Sequence, residues 1–281
     1  MKTGTRPDFI VIGPGKSGTT WVYNALSAHP EICVSSTKET QYFNNYFDRG
    51  EAWYLKFFSH CSEAKRIGEV SNTYIFCSET PARIRDFDAS IKLISTIRNP
   101  LDRTFSHYLF LVRNGELDCS FEEALKQRPD LLERGLYSVY IKRYRQYFPA
   151  EKMLILLLDE LKQDPGSYAR KLYGFLEVDN TFSPSNLGEK QLGAAAPRNK
   201  FVARHMKKAA LIARDLNLHQ LVSRVKNSFL PGLLYRSYSE KDYPLMSEST
   251  RNDLKQYFKH DVDEMSEIVG QDLLKLWKFD A

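Results

Sequence analysis

Short apolar runs and amphipathic stretches alternate along most of this chain. Phe9–Ile12, Ile32–Val34, Arg66–Val70, Ile91–Ile97 and Met153–Leu158 are the strand candidates, dominated by apolar residues as expected of strands covered on both faces. Between them, Thr19–Ala28, Leu101–Asn114, Phe121–Gln127 and Val139–Tyr147 carry apolar residues at helical spacing. This alternation predicts an α/β fold with a central parallel sheet flanked by helices. After Leu176 the pattern changes to a loop rich in Gly, Pro and Asn, followed by helices expected near Phe201–Phe229 and Ser247–Val269. That helical C-terminal part is expected to pack on the sheet domain and to supply part of its site. No long Pro/Gly/Ser linker, repeat or low-complexity tract divides the chain, so residues 1–281 are expected to form a single domain.

The first strand candidate runs into the most chemically informative segment, Asp8–Leu26, DFIVIGPGKSGTTWVYNAL. Gly13, Gly15 and Gly18 permit a tight turn and close approach of a ligand to the backbone. The helix beginning near Gly18 points unpaired N–H groups and the positive end of its dipole at the same spot. Lys16 adds a full charge, and Ser17, Thr19 and Thr20 add donors. The phosphate loop of NTPases requires a glycine four residues before Gly-Lys-Ser/Thr, and counting back from Gly15-Lys16-Ser17 places that position at Ile10. That spacing fails. The dinucleotide pattern G-x-G-x-x-G matches at Gly13, Gly15 and Gly18, but a lysine and the Thr19-Thr20-Trp21 helix start are unlike the small apolar residues of that motif. The segment is therefore a P-loop-like cradle for phosphate or sulfate.

Composition narrows the ligand. Of 281 residues 42% are hydrophobic, enough for a large core, and the net charge of +5 arises from 40 basic and 35 acidic residues that are mostly interspersed. Such a balance points to an anionic small ligand and away from nucleic acid. Cys33, Cys61, Cys77 and Cys119 are widely spaced with no C-x-x-C pair, so they are expected to be buried thiols, with neither a zinc site nor a disulfide framework. The N-terminal segment MKTGTRPDF lacks an apolar leader region, and no stretch approaches the roughly 20 apolar residues of a membrane span. A cytoplasmic protein without stable membrane insertion is expected, the alternative being the lumenal domain of an enzyme separated from its anchor. The oligomeric state is not indicated.

Two segments in order, the Gly13–Trp21 turn and Ile91–Tyr108, IKLISTIRNPLDRTFSHY, resemble the 5′-phosphosulfate and 3′-phosphate segments of sulfotransferases that use 3′-phosphoadenosine 5′-phosphosulfate (PAPS). Thr37–Phe43, TKETQYF, and Gly135–Pro149, GLYSVYIKRYRQYFP, are similar to segments of carbohydrate sulfotransferases, including those acting on heparan sulfate. Weaker likeness runs through Leu154–Leu176 and on to the C-terminus. The resemblance implies transfer of a sulfuryl group from PAPS to a hydroxyl of a carbohydrate or small metabolite, releasing PAP without a metal. Gly15, Lys16, Ser17, Gly18, Thr19, Thr20 and Trp21 would then hold the 5′ end of the nucleotide, and Arg98 with Ser106 the 3′-phosphate. Tyr137 would lie near the nucleotide, and Arg198 is the best substitute for an arginine closing over the 3′-phosphate. Lys16 would stabilise the leaving phosphate.

Glu39 aligns with the catalytic base of the heparan-type enzymes, and His107 competes with it, since many sulfotransferases use histidine. Where the heparan-type enzymes carry a lysine in the GEVSNTY segment, this chain has Val70. Tyr137, Tyr140, Tyr144 and Tyr147 form a stripe expected to be mostly core, and the basic positions Arg204, Lys207, Lys208 and Arg214 a solvated face. Two readings from other classes stay open. The run MLILLLDEL imitates a Walker B strand, which in an ATP- and Mg²⁺-using nucleotide kinase would make Asp159 a metal ligand. A non-catalytic PAPS-binding module would share the cradle without turnover.

Overall fold

The computed structural model describes residues 6–184 and 246–280, the backbone of Ala195–Pro197 and Tyr235–Ser237, and positions 205, 209 and 213. These residues fall into two compact units, the first made of 6–98, 136–184 and 261–280, the second of 99–135, 246–260 and the short pieces between 195 and 237.

The first unit is built on five strands: β1 (Phe9–Gly13), β2 (Ile32–Val34), β3 (Arg66–Val70), β4 (Lys92–Ile97) and β5 (Met153–Leu157). They form one sheet in the order β2-β3-β1-β4-β5, every pairing parallel. The α/β architecture expected from the sequence is therefore present. β1 is central and buried along its whole length, which is why its sequence is a continuous apolar run. Alternate β1 side chains serve opposite faces. Phe9 and Val11 join Trp21, Val22 and Leu26 of α1 (Thr19–Ala28) in one core cluster. Tyr168, Leu172 and Tyr173 of a later helix, Pro165–Phe175, complete it.

Further helices of this unit are α2 (Glu51–Leu55) and α3 (Thr80–Phe87), the latter with Pro81 in its first turn, where the missing N–H costs nothing. The second unit holds α4 (Pro100–Arg113), α5 (Phe121–Gln127) and α6 (Asp130–Glu133). Asn99 caps α4 by accepting from Leu101 N at 3.0 Å, and Ser120 with Glu123 forms a reciprocal capping box on α5. In the same unit Ala195–Pro197 (β6) pairs antiparallel with Tyr235–Ser237 (β7).

The chain continues through α7 (Tyr137–Arg145), α8 (Leu158–Gln163), α9 (Pro165–Phe175), α10 (Glu248–Val269) and α11 (Leu273–Leu276). Of the tyrosine stripe, Tyr137 and Tyr144 are fully buried, while Tyr140 and Tyr147 are half-buried. Asp261 of α10 accepts bonds from the backbone N–H groups of Tyr137 and Ser138 at 2.8 and 2.9 Å, satisfying donors at the start of α7. Of the expected helix at Phe201–Phe229 only positions 205, 209 and 213 are described, as helical, and its basic positions Arg204, Lys207, Lys208 and Arg214 lie outside the described residues. Among the described residues no helix is long and apolar enough to cross a membrane.

The cysteines correct the sequence expectation. Cys33, in β2, and Cys61 form a disulfide, with Cα atoms 5.6 Å apart, while Cys77 and Cys119 are free and only half-buried. A separation of 28 residues says nothing about pairing until the chain after β2 has folded back beside it. His60 completes a trio of ligand-type side chains with Cys33 and Cys61, but the disulfide occupies both sulfurs.

Candidate active site

All five strands run parallel, so the segments following β1, β2, β3 and β4 leave the sheet at its carboxyl edge, where ligands of open α/β sheets collect. The turn after β1 has positive φ at Gly13 (+104°), Lys16 (+74°) and Gly18 (+92°). Gly13 is required twice over, by its backbone angle and because a Cβ there would lie 2.2 Å from the carbonyl oxygen of Asn72. A Cβ on Gly18 would lie 2.8 Å from Leu158 Cδ1. Gly18 is also the N-cap of α1 and supplies no side-chain cap, so the first-turn N–H groups and the helix dipole face the turn. Ser17 is fully buried and its Oγ has no hydrogen-bond partner, and Asn72 Oδ1 shares that state. Buried polar atoms left without partners cost about 1–3 kcal/mol each, and of these two the Ser17 hydroxyl is a donor that an anion in the turn would satisfy.

The segment after β2 supplies the second part. Glu39 N donates to Val70 O at 2.9 Å, and the Glu39 carboxylate accepts from Asn72 N at 2.8 Å. Asn72 therefore touches the glycine turn at Gly13 and holds Glu39 through its N–H. Glu39 has φ of +66°, and Gln41 of +55°. Left-handed backbone at a non-glycine residue costs about 1–3 kcal/mol and persists where the surroundings enforce it. Lys16 and Glu39, two of the three residues expected to do chemistry, both carry it. Lys38, not singled out from the sequence, donates from Nζ to Thr20 Oγ1 at 3.1 Å, in the first turn of α1. Burial lowers its pKa below the ordinary lysine value, and the charge of Glu39 opposes the shift.

Arg98, directly after β4, donates from NH1 to the Lys16 carbonyl at 3.5 Å, so its guanidinium lies against the turn. Tyr137 OH donates to Arg98 O at 2.9 Å. An unbroken series of contacts thus links Glu39, Asn72, the Gly13–Gly18 turn, Arg98 and Tyr137. Thr19 is buried, and Thr20 is engaged by Lys38. The Trp21 indole is turned into the core edge-to-face on Tyr168, with ring centres 5.3 Å apart, so its side chain serves packing and only its backbone belongs to the helix start. The 3.6-residue period of α1 carries position 21 to the core side.

Ser106 and His107 lie on α4 in the second unit. His107 is 8% exposed and its Nδ1 is 3.0 Å from NH2 of the buried Arg103. A guanidinium only donates, so Nδ1 accepts, and the neutral ring carries its proton on Nε2. Arg103 and Thr104 in turn donate to Leu131 O, tying α4 to α6. Arg198 lies outside the described residues. Asp159, the Walker B imitation, accepts from Trp277 Nε1 at 2.9 Å, joining α8 to the chain after α11.

A glycine turn with a lysine in it, an arginine against it and a carboxylate braced beside it is suited to an anionic group. The sulfotransferase domain model matches residues 6–226, and the chain belongs to this family of transferases. It is 35% identical over 155 residues to the membrane-associated sulfotransferase kil1 of Dictyostelium discoideum, covering 52% of this chain and 32% of that protein. It is 32% identical over 194 residues to the bifunctional heparan sulfate N-deacetylase/N-sulfotransferase 3 of Homo sapiens, covering 61% and 22% respectively. The chain therefore spans a third or less of the length of these curated relatives. Among solved structures, a sulfotransferase from Alicyclobacillus acidocaldarius superposes with a TM-score of 0.71 at 23% identity, covering 97% of this chain and 99% of that one, a likeness of fold.

Proposed function

We propose that this protein transfers a sulfuryl group from PAPS to a hydroxyl of a carbohydrate or small-metabolite acceptor and releases PAP. The observation that carries the reading is the contact series joining the Gly13–Gly18 cradle to Glu39 through Asn72, because it puts an anion site and a fixed carboxylate on one edge of the sheet. The buried, unpartnered Ser17 hydroxyl can donate to an oxygen of a phosphosulfate ligand. The turn, the α1 N-terminus and Lys16 would hold the 5′ end, and Arg98 the 3′-phosphate, for which a guanidinium fork is suited.

In the transfer, a bond forms between acceptor oxygen and sulfur while the bond from sulfur to the 5′-phosphate oxygen breaks. The electron pair of the broken bond stays on that phosphate oxygen, where Lys16 and the helix N-terminus stabilise it. The acceptor proton goes to Glu39, whose carboxylate is fixed in place by Asn72 N–H. Lys38 strengthens the positive field at the first turn of α1. His107, with Nδ1 accepting from Arg103, is a structural side chain in this reading.

Transfer of radiolabelled sulfate from PAPS to a panel of oligosaccharides, phenols and aliphatic alcohols, with EDTA present, tests the proposal. Metal-independent labelling of at least one hydroxyl acceptor is expected. Loss of labelling restored only by Mg²⁺, or ATP bound in preference to PAP, would favour the kinase reading. PAP binding without transfer to any acceptor would favour the non-catalytic module. The Cys33–Cys61 disulfide supports the second of the two expected locations, an oxidising compartment, because such bonds persist there. Thiol titration of protein alkylated at the moment of cell lysis decides that point.

A further inference from the structure

Glu69 of β3 is fully buried, and four hydroxyl groups converge on its carboxylate. Tyr54 and Tyr74 donate to Oε1 at 2.6 and 2.9 Å, and Thr40 and Ser71 to Oε2 at 2.5 and 2.8 Å. A hydroxyl has one proton, so an oxygen that donates to Glu69 can only accept elsewhere; Thr40 Oγ1 and Tyr74 OH also lie 3.0 Å apart, a contact in which either could donate. Three of the four accept from consecutive backbone N–H groups of one turn. Ser71 Oγ takes Gln41 N at 3.4 Å, Thr40 Oγ1 takes Tyr42 N at 3.4 Å, and Tyr74 OH takes Phe43 N at 3.2 Å. This is the turn that begins with the left-handed backbone of Glu39 and Gln41. Tyr54 differs from the other three in reaching Glu69 without also holding the turn.

We infer that Glu69 is a positioning residue for Glu39, acting by setting the polarity of the hydroxyls that accept the N–H groups of residues 41–43. The inference rests on the reading of Glu39 as the base. An ionised carboxylate accepts from all four hydroxyls at once, whereas an amide in its place presents donors to two of them and reverses their direction. In either orientation of the amide at least one of the reversed hydroxyls, Tyr74 at Oε1 or Thr40 and Ser71 at Oε2, is one that a turn N–H already points at, so its proton meets that N–H. Burial raises the Glu69 pKa above the ordinary carboxylate value, and the hydroxyl bonds oppose that rise. With the turn loosened, Glu39 leaves its strained backbone and its bond to Asn72, while the glycine cradle keeps its own support.

The test is a double-mutant cycle of Glu69→Gln and Glu39→Gln, with kcat, acceptor KM and PAP affinity measured on each folded protein. Glu69→Gln should lower kcat by about 10- to 100-fold, the scale of a misplaced reacting group, with PAP affinity unchanged. In the Glu39→Gln background the same change should cost less than about threefold, because the group it positions is already gone. Equal losses in the two backgrounds, or full turnover in Glu69→Gln, would overturn the inference. If Glu39→Gln alone is fully active, the base assignment has failed and the inference falls with it, an outcome distinct from the additive one.

A second contrast holds if Glu69→Gln does not fold. Tyr74→Phe and Tyr54→Phe each remove one hydroxyl from Glu69, but only Tyr74 also accepts from the turn. Tyr74→Phe should therefore lower kcat at least about fivefold more than Tyr54→Phe at comparable loss of stability. Equal effects on kcat would overturn the inference.

Discussion

The Gly13–Gly18 cradle and the Glu39–Phe43 turn leave the same edge of one sheet and are built on opposite rules. Around the cradle, donors are left open: the Ser17 hydroxyl is buried without a partner, and α1 begins without a side-chain cap. Around the turn, polar atoms are closed: the N–H groups of residues 39, 41, 42 and 43 all have acceptors, three of them hydroxyls fixed by Glu69. An anion site needs donors held in place without partners of their own, so that binding recovers their cost. A general base needs a carboxylate whose position does not wander, and the backbone N–H groups of its turn at 39 and 41–43 are satisfied. In the proposed function this difference goes with binding at the cradle and proton transfer at the turn.

Substitutions can break that division. The largest expected effect is at the turn: Glu39→Gln keeps size and most hydrogen bonding but removes basicity, so kcat should fall by roughly 10²- to 10⁴-fold. His107→Asn should cost much less, and a dead His107→Asn beside an active Glu39→Gln would reverse the roles. At the cradle, Lys16→Ala should lower kcat by about 10²- to 10³-fold with PAP still bound, since the charge removed is at the leaving-group end. Near-normal turnover in Lys16→Ala would contradict the assignment.

Reduction of the Cys33–Cys61 disulfide sharpens the comparison, because the 28-residue segment it closes contains the turn and not the cradle. Cys33→Ser with Cys61→Ser should lower unfolding free energy by about 2–4 kcal/mol, measured by chemical denaturation. No change in stability would show that the cross-link does not constrain the unfolded chain. Arg98→Ala should weaken PAP and PAPS alike by about 1.5–3 kcal/mol, the scale of one charge-assisted hydrogen bond, as read by titration. The smallest effect concerns Lys38. Burial holds its pKa below the ordinary value, and a bound anion would raise it again, so PAP binding should take up a fraction of a proton at alkaline pH. PAP affinity then falls as pH rises through that range, and calorimetry in two buffers of different ionisation enthalpy should show the uptake vanish in Lys38→Met.

The cradle was legible in the sequence because its chemistry is local: six consecutive residues, Gly13–Gly18, contain the glycines, the lysine and the buried serine. The strands were legible for a related reason, since a strand covered on both faces has little choice but to be apolar. Met153–Leu158 ends one residue earlier than its apolar run because Leu158 already belongs to α8. The support of the turn was not legible. Its hydroxyls come from positions 40, 54, 71 and 74, and no spacing announces that they meet at Glu69. Lys38 stood beside Glu39 in TKETQYF, but its approach to Thr20 depends on how the segment after β2 passes α1. The disulfide escaped for the same reason.

The most direct test of the division between cradle and turn is a calorimetric titration of PAP into the wild-type protein and into Glu39→Gln, with AMP as the control lacking the 3′-phosphate. Dissociation constants for PAP within about twofold of each other, and AMP weaker by at least about tenfold in both proteins, are the predicted result. PAP affinity that collapses in Glu39→Gln, or equal affinity for PAP and AMP in the wild type, would contradict it.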